Sequence, residues 1–290
     1  MQHDESAFTG QGGVRIYRQQ WLPDDAPQAA VALVHGIGEH SGRYMRVVNQ
    51  LVPRSYAIYA LDHRGHGRSD GQRGYISDWS DFREDLRTLV TMVQQEIGGL
   101  PLFLFCHSMG GVIGLDYCLR YPEGLAGVVA SAPAIGAVAV HPAMWFLARL
   151  LDRVWPTFSL SPQSGGMKWK VSRDPEVMEA TRNDPLNHGK ATPRLGVQIN
   201  KTVDWIQAHA ADWQLPLLVI HGTDDNIASP DGSRRFVEQI AYPDVQFNEY
   251  AGGYHELFND IIRDQVLADV AEWLEKHRMS GPAINGRAED

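Results

Sequence analysis

A chain of 290 residues and 32.3 kDa has room for one large α/β domain, or for one such domain carrying an insertion. Against 35 acidic side chains stand only 26 basic ones, for a net charge of -9 and no basic run, which excludes nucleic acid as a partner because phosphates demand a clustered basic surface. Two cysteines, Cys106 and Cys118, are too few for a disulfide framework or a thiolate metal site.

The N-terminal MQHDESAFTGQGG lacks the basic and apolar regions of a secretory signal, and no apolar run approaches the roughly 18 residues of a membrane span. A cytoplasmic protein is expected. GGVRIYRQQWLP alternates and predicts an edge hairpin strand. Six near-continuous apolar runs follow: VALVHG (31–36), YAIYALD (56–62), PLFLFCHS (101–108), GVVASAP (127–133), LPLLVIHG (215–222) and VQFNEYAG (245–252). Runs of this kind suit strands buried on both faces of a parallel sheet. Between them, helical periodicity marks 77–97, where Phe82, Leu86, Leu89, Val90 and Val93 form one stripe, then 109–122, 229–240 and 257–277. Alternation of strand and helix predicts a mostly parallel central sheet with helices on both faces.

From Ile135 to Trp213 no buried strand is predicted, and a connection that long is no ordinary loop. The expected organisation is therefore a sheet core over 1–134 and 214–278, a helical cap over 135–213 across the carboxyl ends of the strands, and a flexible polar tail over 279–290.

The chemistry concentrates at Phe105-Cys106-His107-Ser108-Met109-Gly110-Gly111, a small-x-Ser-x-Gly segment between a buried strand and a helix. A tight turn there exposes Ser108 as a nucleophile, and the following helix aims its N–H groups at the reacting centre. Cys106 adds a side chain at a crowded point and predicts local strain. A serine hydroxyl needs a base, and His255 in Gly252-Gly253-Tyr254-His255 follows the last strand. The acid that orients this base belongs to Gly222-Thr223-Asp224-Asp225, where either aspartate could serve. The G-x-x-D spacing favours Asp225 and leaves Asp224 as a solvated or turn-capping neighbour. Backbone N–H groups of Met109 and of Ile37, in the glycine loop 35–40, are the candidate oxyanion donors. Asp62-His63-Arg64-Gly65-His66 matches no zinc spacing and reads as a structural loop near the base. No metal and no nucleotide cofactor is implied.

HGIGEHSGRY (35–44), LDHRGHGRSDGQRGYISD (61–78), HSMGG (107–111), NDPL (183–186), HGTDDNI (221–227) and AGGYHELFND (251–260) together resemble the monoacylglycerol lipase family of α/β hydrolases. The resemblance implies the α/β-hydrolase fold and cofactor-free hydrolysis of a small lipid mono-ester. It also implies a cap that forms an acyl tunnel and makes transient membrane contact, through Met144, Trp145, Phe146, Leu147, Leu150, Leu151, Val154 and Trp155. Polar head-group contacts at Glu39 and Arg43 come from the same resemblance. Cys106 stands where the family has glycine, and Phe258 where some members carry a second histidine. A lysophospholipase or general carboxylesterase is the nearest alternative. A serine aminopeptidase would need an acidic cap site, for which Glu176 and Glu179 are the candidates. A non-catalytic binding module is disfavoured because no triad member is missing. Nothing in the sequence sets an oligomeric state.

Overall fold

The structure, a computed structural model, describes residues 1–136, 142–159 and 170–279. The expected tail beyond Met279 and the polar stretch around 160–169 lie outside the described residues. In chain order the elements are β1 (Gln2–Thr9), β2 (Arg15–Leu22), β3 (Ala29–Val34), α1 (Met45–Leu51), β4 (Tyr56–Leu61), α2 (Ser80–Glu96), β5 (Leu102–His107), α3 (Met109–Arg120) and β6 (Gly127–Ser131). After these come α4 (Pro142–Val154), α5 (Pro175–Asn183), α6 (Pro193–Ala208), β7 (Leu217–Gly222), α7 (Pro230–Gln239), β8 (Val245–Tyr250) and α8 (Arg263–Met279).

All strands join one 8-stranded sheet in the order β1-β2-β4-β3-β5-β6-β7-β8. β2 pairs antiparallel with both β1 and β4, and from β4 through β3 and β5 to β8 each strand runs parallel to the next. This is the sheet that the α/β-hydrolase resemblance implies. The apolar runs of β3 to β7 become strands because both of their faces are covered. The run 245–252, expected to be buried on both faces, instead forms the edge strand β8 and stays partly exposed, because nothing pairs beyond it among the described residues. Ala30, Ala32, Val34, Leu104 and Cys106 face a core with Leu86 and Leu89 of α2 and Val112 and Ile113 of α3. Val31, Leu33, Phe103 and Phe105 face the opposite core, with Val47 and Leu51 of α1 and Val266, Val270 and Leu274 of α8. Side chains alternating between two cores are the period-2 geometry of a strand.

Three expectations change. β2 is an internal strand, because β1 pairs outside it along its whole length, from Gln2 opposite Leu22 to Thr9 opposite Arg15. α1, a short helix after the first buried run, carried no periodic signal of its own. The helical run 257–277 is interrupted: Leu257–Asn259 form a 3-10 turn and α8 starts only at Arg263. Asp260 causes the break, since its buried carboxylate accepts from the Ile261 and Tyr254 N–H groups and from Arg173.

Between β6 and β7 only helices occur among the described residues. Thr192 caps α6 through the Leu195 N–H with Pro193 in its first turn, and Asp174 caps α5 through the Glu176 N–H with Pro175 in its first turn. Leu195, Val203 and Ile206 of α6 join the core beneath α3. α4 leans on α6 and leaves Met144, Phe146, Leu147, Leu150, Val154 and Trp155 exposed. These side chains therefore do not fasten the insertion to the sheet. The core residues of α6 do, together with backbone bonds: the His188 N–H donates to Gly38 O at 2.8 Å and the Glu256 N–H to Val171 O at 2.7 Å.

The sheet order reverses at β3, which feeds β4 on one side and lies beside β5 on the other, with Val34 opposite Cys106. The loop after β3 and the turn after β5 thus leave the sheet side by side, at the switch point where such sheets bind ligands.

Candidate functional site

Ser108 follows β5 directly and precedes the first residue of α3 with φ 55° and ψ -119°. A left-handed φ on a side-chain-bearing residue costs on the order of 1–3 kcal/mol and persists only where its surroundings enforce it. Here the Ser108 N–H donates to Ser131 O (3.1 Å), and Ser108 O accepts from the Ala134 N–H (3.0 Å). α3 can sit against the end of β3 only because position 110 is glycine: a Cβ there would lie 2.2 Å from Val34 O and 2.4 Å from His35 O. The strain expected at Cys106 falls on Ser108 instead. The Cys106 backbone shows no positive φ, and its Sγ occupies the space that Gly114 leaves in α3, 2.3 Å from where a Cβ would stand. Burial pushes the Cys106 thiol well above its ordinary range, so it is no thiolate at neutral pH.

His255 must reach Ser108 from the far edge of the sheet, three strand intervals or about 14 Å from β5 to β8. The loop after β8 makes that return. It crosses the loop after β7 at Gly222, where a Cβ would lie 2.2 Å from Gly253 O, and the Asp224 N–H donates to the same carbonyl. His255 Nε2 then stands 2.9 Å from Ser108 Oγ, and His255 Nδ1 stands 2.7 Å from Asp225 Oδ2. A carboxylate can only accept, so Nδ1 carries the ring proton and Nε2 is free to accept from the serine hydroxyl. Asp225 Oδ1 accepts the Ile227 and Ala228 N–H groups, and His221 Nε2 lies 3.2 Å from Oδ2. Burial raises the Asp225 carboxyl, but His255, then His221 and the Ala228 N–H, hold it far below the usual carboxylate range. Asp224 is exposed and, among the described residues, its carboxylate accepts only from Thr223. The three side chains are coupled for proton transfer from serine to imidazole.

Neither the Ile37 nor the Met109 N–H donates to a protein acceptor among the described residues. Gly36, next to Ile37, touches the elbow: a Cβ on it would lie 3.0 Å from Ser108 Cβ. The loop that bears both is pinned by Glu39, whose Oε1 accepts the Gly36 N–H at 2.6 Å and Tyr44 OH at 2.7 Å. Glu39 is buried, Arg43 is nearly so, and both are bonded to protein groups, Arg43 reaching Glu39, Glu256 and Thr181. Burial raises the Glu39 carboxyl, but Arg43 and then His107 and His35 bring it down to about 2.

Sequence reasoning missed His107, His221 and Glu256. His107 packs its ring 4.7 Å from that of His255 and donates through Nδ1 to Ser131 O. Its only signal was its place directly before the nucleophile. Phe258, where a second histidine was looked for, is buried and stacks on Tyr44 at 4.9 Å. It belongs to the core beneath the site, against Phe105 and His107, and offers no polar contact.

The Asp62–Ser69 loop is tied to the β3 loop and not to the base. Asp62 holds the Ser41 N–H and hydroxyl and the Arg68 N–H, and the His63 N–H donates to His35 Nε2. The rings of His35, His63, His66 and His188 lie against one another in sequence, yet no three potential ligands among the described residues converge to hold a metal. Burial pushes His35, His63 and His66 below the ordinary histidine range, His107 down to about 3 and His188 to about 4. In the unfolded chain these groups titrate near 6.5. Depressed folded values mean the unfolded state binds more protons, so this stability is complete above about pH 6.5 and is lost as the pH falls toward the folded values. Denaturant unfolding at pH 7, 6 and 5 is expected to show stability falling with pH, at a slope of about 1.4 kcal/mol per pH unit for each proton taken up. A flat response between pH 6.5 and 5 would show that these rings protonate freely in the folded protein.

The match to known proteins is extensive. Residues 25–262 match the family described as serine aminopeptidase, S33. A monoacylglycerol lipase of Mycolicibacterium smegmatis is 39% identical over 275 residues, covering 94% of this chain and 97% of that protein. Human monoglyceride lipase is 28% identical, over 91% of this chain and 88% of its own. The crystal structure of Paleococcus ferrophilus monoacylglycerol lipase superposes with a TM-score of 0.81 at 33% identity, covering 90% of this chain and 99% of that one.

Proposed function

The chain belongs to the serine aminopeptidase S33 family, in its monoacylglycerol lipase-like branch of the α/β hydrolases, and from that premise we propose that it hydrolyses monoacylglycerols through an acyl-enzyme on Ser108. The observation that carries this reading is the hydrogen-bonded chain Ser108–His255–Asp225, ending on a serine whose backbone is turned to φ 55°. His255 Nε2 takes the hydroxyl proton as Ser108 Oγ attacks the ester carbonyl, and the Ile37 and Met109 N–H groups receive the oxyanion. The imidazolium, stabilised by Asp225, gives its proton to the departing glycerol. Water activated by the same nitrogen then releases the fatty acid and restores the serine.

Residues 135–213 serve as the cap. The exposed apolar face of α4, 13 residues long, supplies the surface for transient contact with a lipid layer. No helix among the described residues is long and apolar enough to cross a membrane. The aminopeptidase alternative needs an enclosed acidic site for a free amine, and both Glu176 and Glu179 stand exposed on α5. Turnover of a long-chain monoacylglycerol in vesicles, a lysophospholipid, soluble p-nitrophenyl butyrate and an aminoacyl amide decides among these. The monoacylglycerol is expected to give the highest kcat/KM, with vesicle-bound substrate preferred over monomeric. Preference for the amide or for the lysophospholipid would overturn the assignment.

A further inference from the structure

Arg43 is 10% exposed and lies between two buried carboxylates, Glu39 at 6% and Glu256 at 3%. Its Nη1 donates to Glu39 Oε2 and Glu256 Oε1, both at 2.7 Å, and its Nη2 donates to Glu256 Oε2 (2.8 Å) and Thr181 Oγ1 (2.6 Å). Those four bonds occupy all four terminal N–H groups. Each carboxylate oxygen also holds at least one donor. Glu39 Oε1 takes the Gly36 N–H and Tyr44 OH, and Glu256 Oε2 also takes the Asn259 amide. The cluster therefore has little left to offer a substrate head group, which is the role that resemblance had given Glu39 and Arg43.

What the cluster joins is more informative than what it binds. Glu39 pins the β3 loop at Gly36, one residue before the Ile37 donor. Glu256 is the neighbour of His255 in the chain. Thr181 belongs to α5 of the insertion, and the Glu256 N–H binds Val171 of the same insertion. One guanidinium thus links the oxyanion loop, the base loop and the cap. Stability does not require this, since a buried ion pair rarely beats an apolar replacement of equal volume. Its distinctive product is fixed relative placement, and a misplacement of about 1 Å between reacting groups costs up to about a hundredfold in rate.

We propose that Arg43 and Glu256 are positioning residues, a buried latch that holds the oxyanion donor and the His255 imidazole in register with Ser108. This rests on the ester-hydrolase reading above. The test measures kcat and KM for Glu256→Gln, Arg43→Met and Arg43→Lys on p-nitrophenyl butyrate, which lacks a glycerol head group, and on a monoacylglycerol. Both substrates are expected to lose about tenfold to a hundredfold in kcat with KM within about threefold, and Arg43→Lys is expected to recover part of the Arg43→Met loss. The proposal is overturned if kcat stays within about twofold of the parent on both esters. It is equally overturned if the loss appears only as a raised KM for the glyceryl ester, the mark of a head-group contact. Loss of the fold in the isosteric Glu256→Gln would make the cluster a structural one and also end the proposal. An unsubstituted protein without ester turnover would instead refute the hydrolase reading itself.

Discussion

Ser108→Ala is expected to lower ester turnover by about a million-fold, the loss seen when the nucleophile of a serine–histidine–acid unit is removed. The expectation depends on there being no substitute nucleophile. Cys106, two residues away, is fully buried with its sulfur against Gly114, and burial keeps its thiol protonated. Cys118 is buried in the same core and pushed up in the same way. Alanine tolerates the left-handed φ no worse than serine does, and the bonds that enforce it run through the backbone, so the variant should fold. Its lost contact is the 2.9 Å bond to His255. KM is expected to change little, because the hydroxyl acts in the bond-making step. Two measurements check this: steady-state turnover of p-nitrophenyl butyrate and covalent labelling by a fluorophosphonate followed by mass. Labelling retained at the rate of the unsubstituted protein would remove Ser108 from the reaction.

The parts of this site that could be read in the sequence are those set by order along the chain. Ser108, Asp225 and His255 each follow the end of a strand, β5, β7 and the edge strand β8, and the near-continuous apolar character of β3 to β7 marks those strands without ambiguity. β1 escaped because Gln2–Ser6 expose both faces to solvent, so no alternation is written into them. What made it a strand is its pairing with β2, a tertiary fact. α1 escaped for a related reason: seven residues are too few to show a helical period. The Arg43–Glu256 pair joins residues 213 positions apart, and neither end announces its partner. Resemblance assigned Arg43 to the substrate, whereas the geometry surrounds it with protein acceptors. Cys106 shows the opposite limit. Its misfit could be seen in the sequence, but the glycine that resolves it, Gly114, lies one helical turn beyond Gly110, and nothing in the sequence ties it to Cys106.

Asp225→Asn is expected to lower kcat by about ten-thousandfold while leaving the fold and KM near those of the parent. The reasoning runs through the proton on His255. Asp225 Oδ1 accepts two backbone N–H groups, from Ile227 at 2.8 Å and Ala228 at 3.0 Å. An asparagine keeps its carbonyl oxygen on those donors and so turns its NH2 toward His255 Nδ1. An NH2 can only donate there, which makes Nδ1 an acceptor and moves the ring proton to Nε2. An Nε2–H facing Ser108 cannot take the hydroxyl proton, and general-base catalysis stops although every heavy atom is in place. Electrostatics act in the same direction, because the ionised Asp225 that stabilises the imidazolium is gone. Asp224→Asn is the matched control: its carboxylate is exposed and, among the described residues, bonded only to Thr223, so turnover should stay within about threefold of the parent. Parallel kinetics of the two variants therefore choose between adjacent aspartates that the sequence alone left open. A large loss at position 224 with activity retained at 225 would reverse the choice, and with it the account of how His255 is held in its basic tautomer.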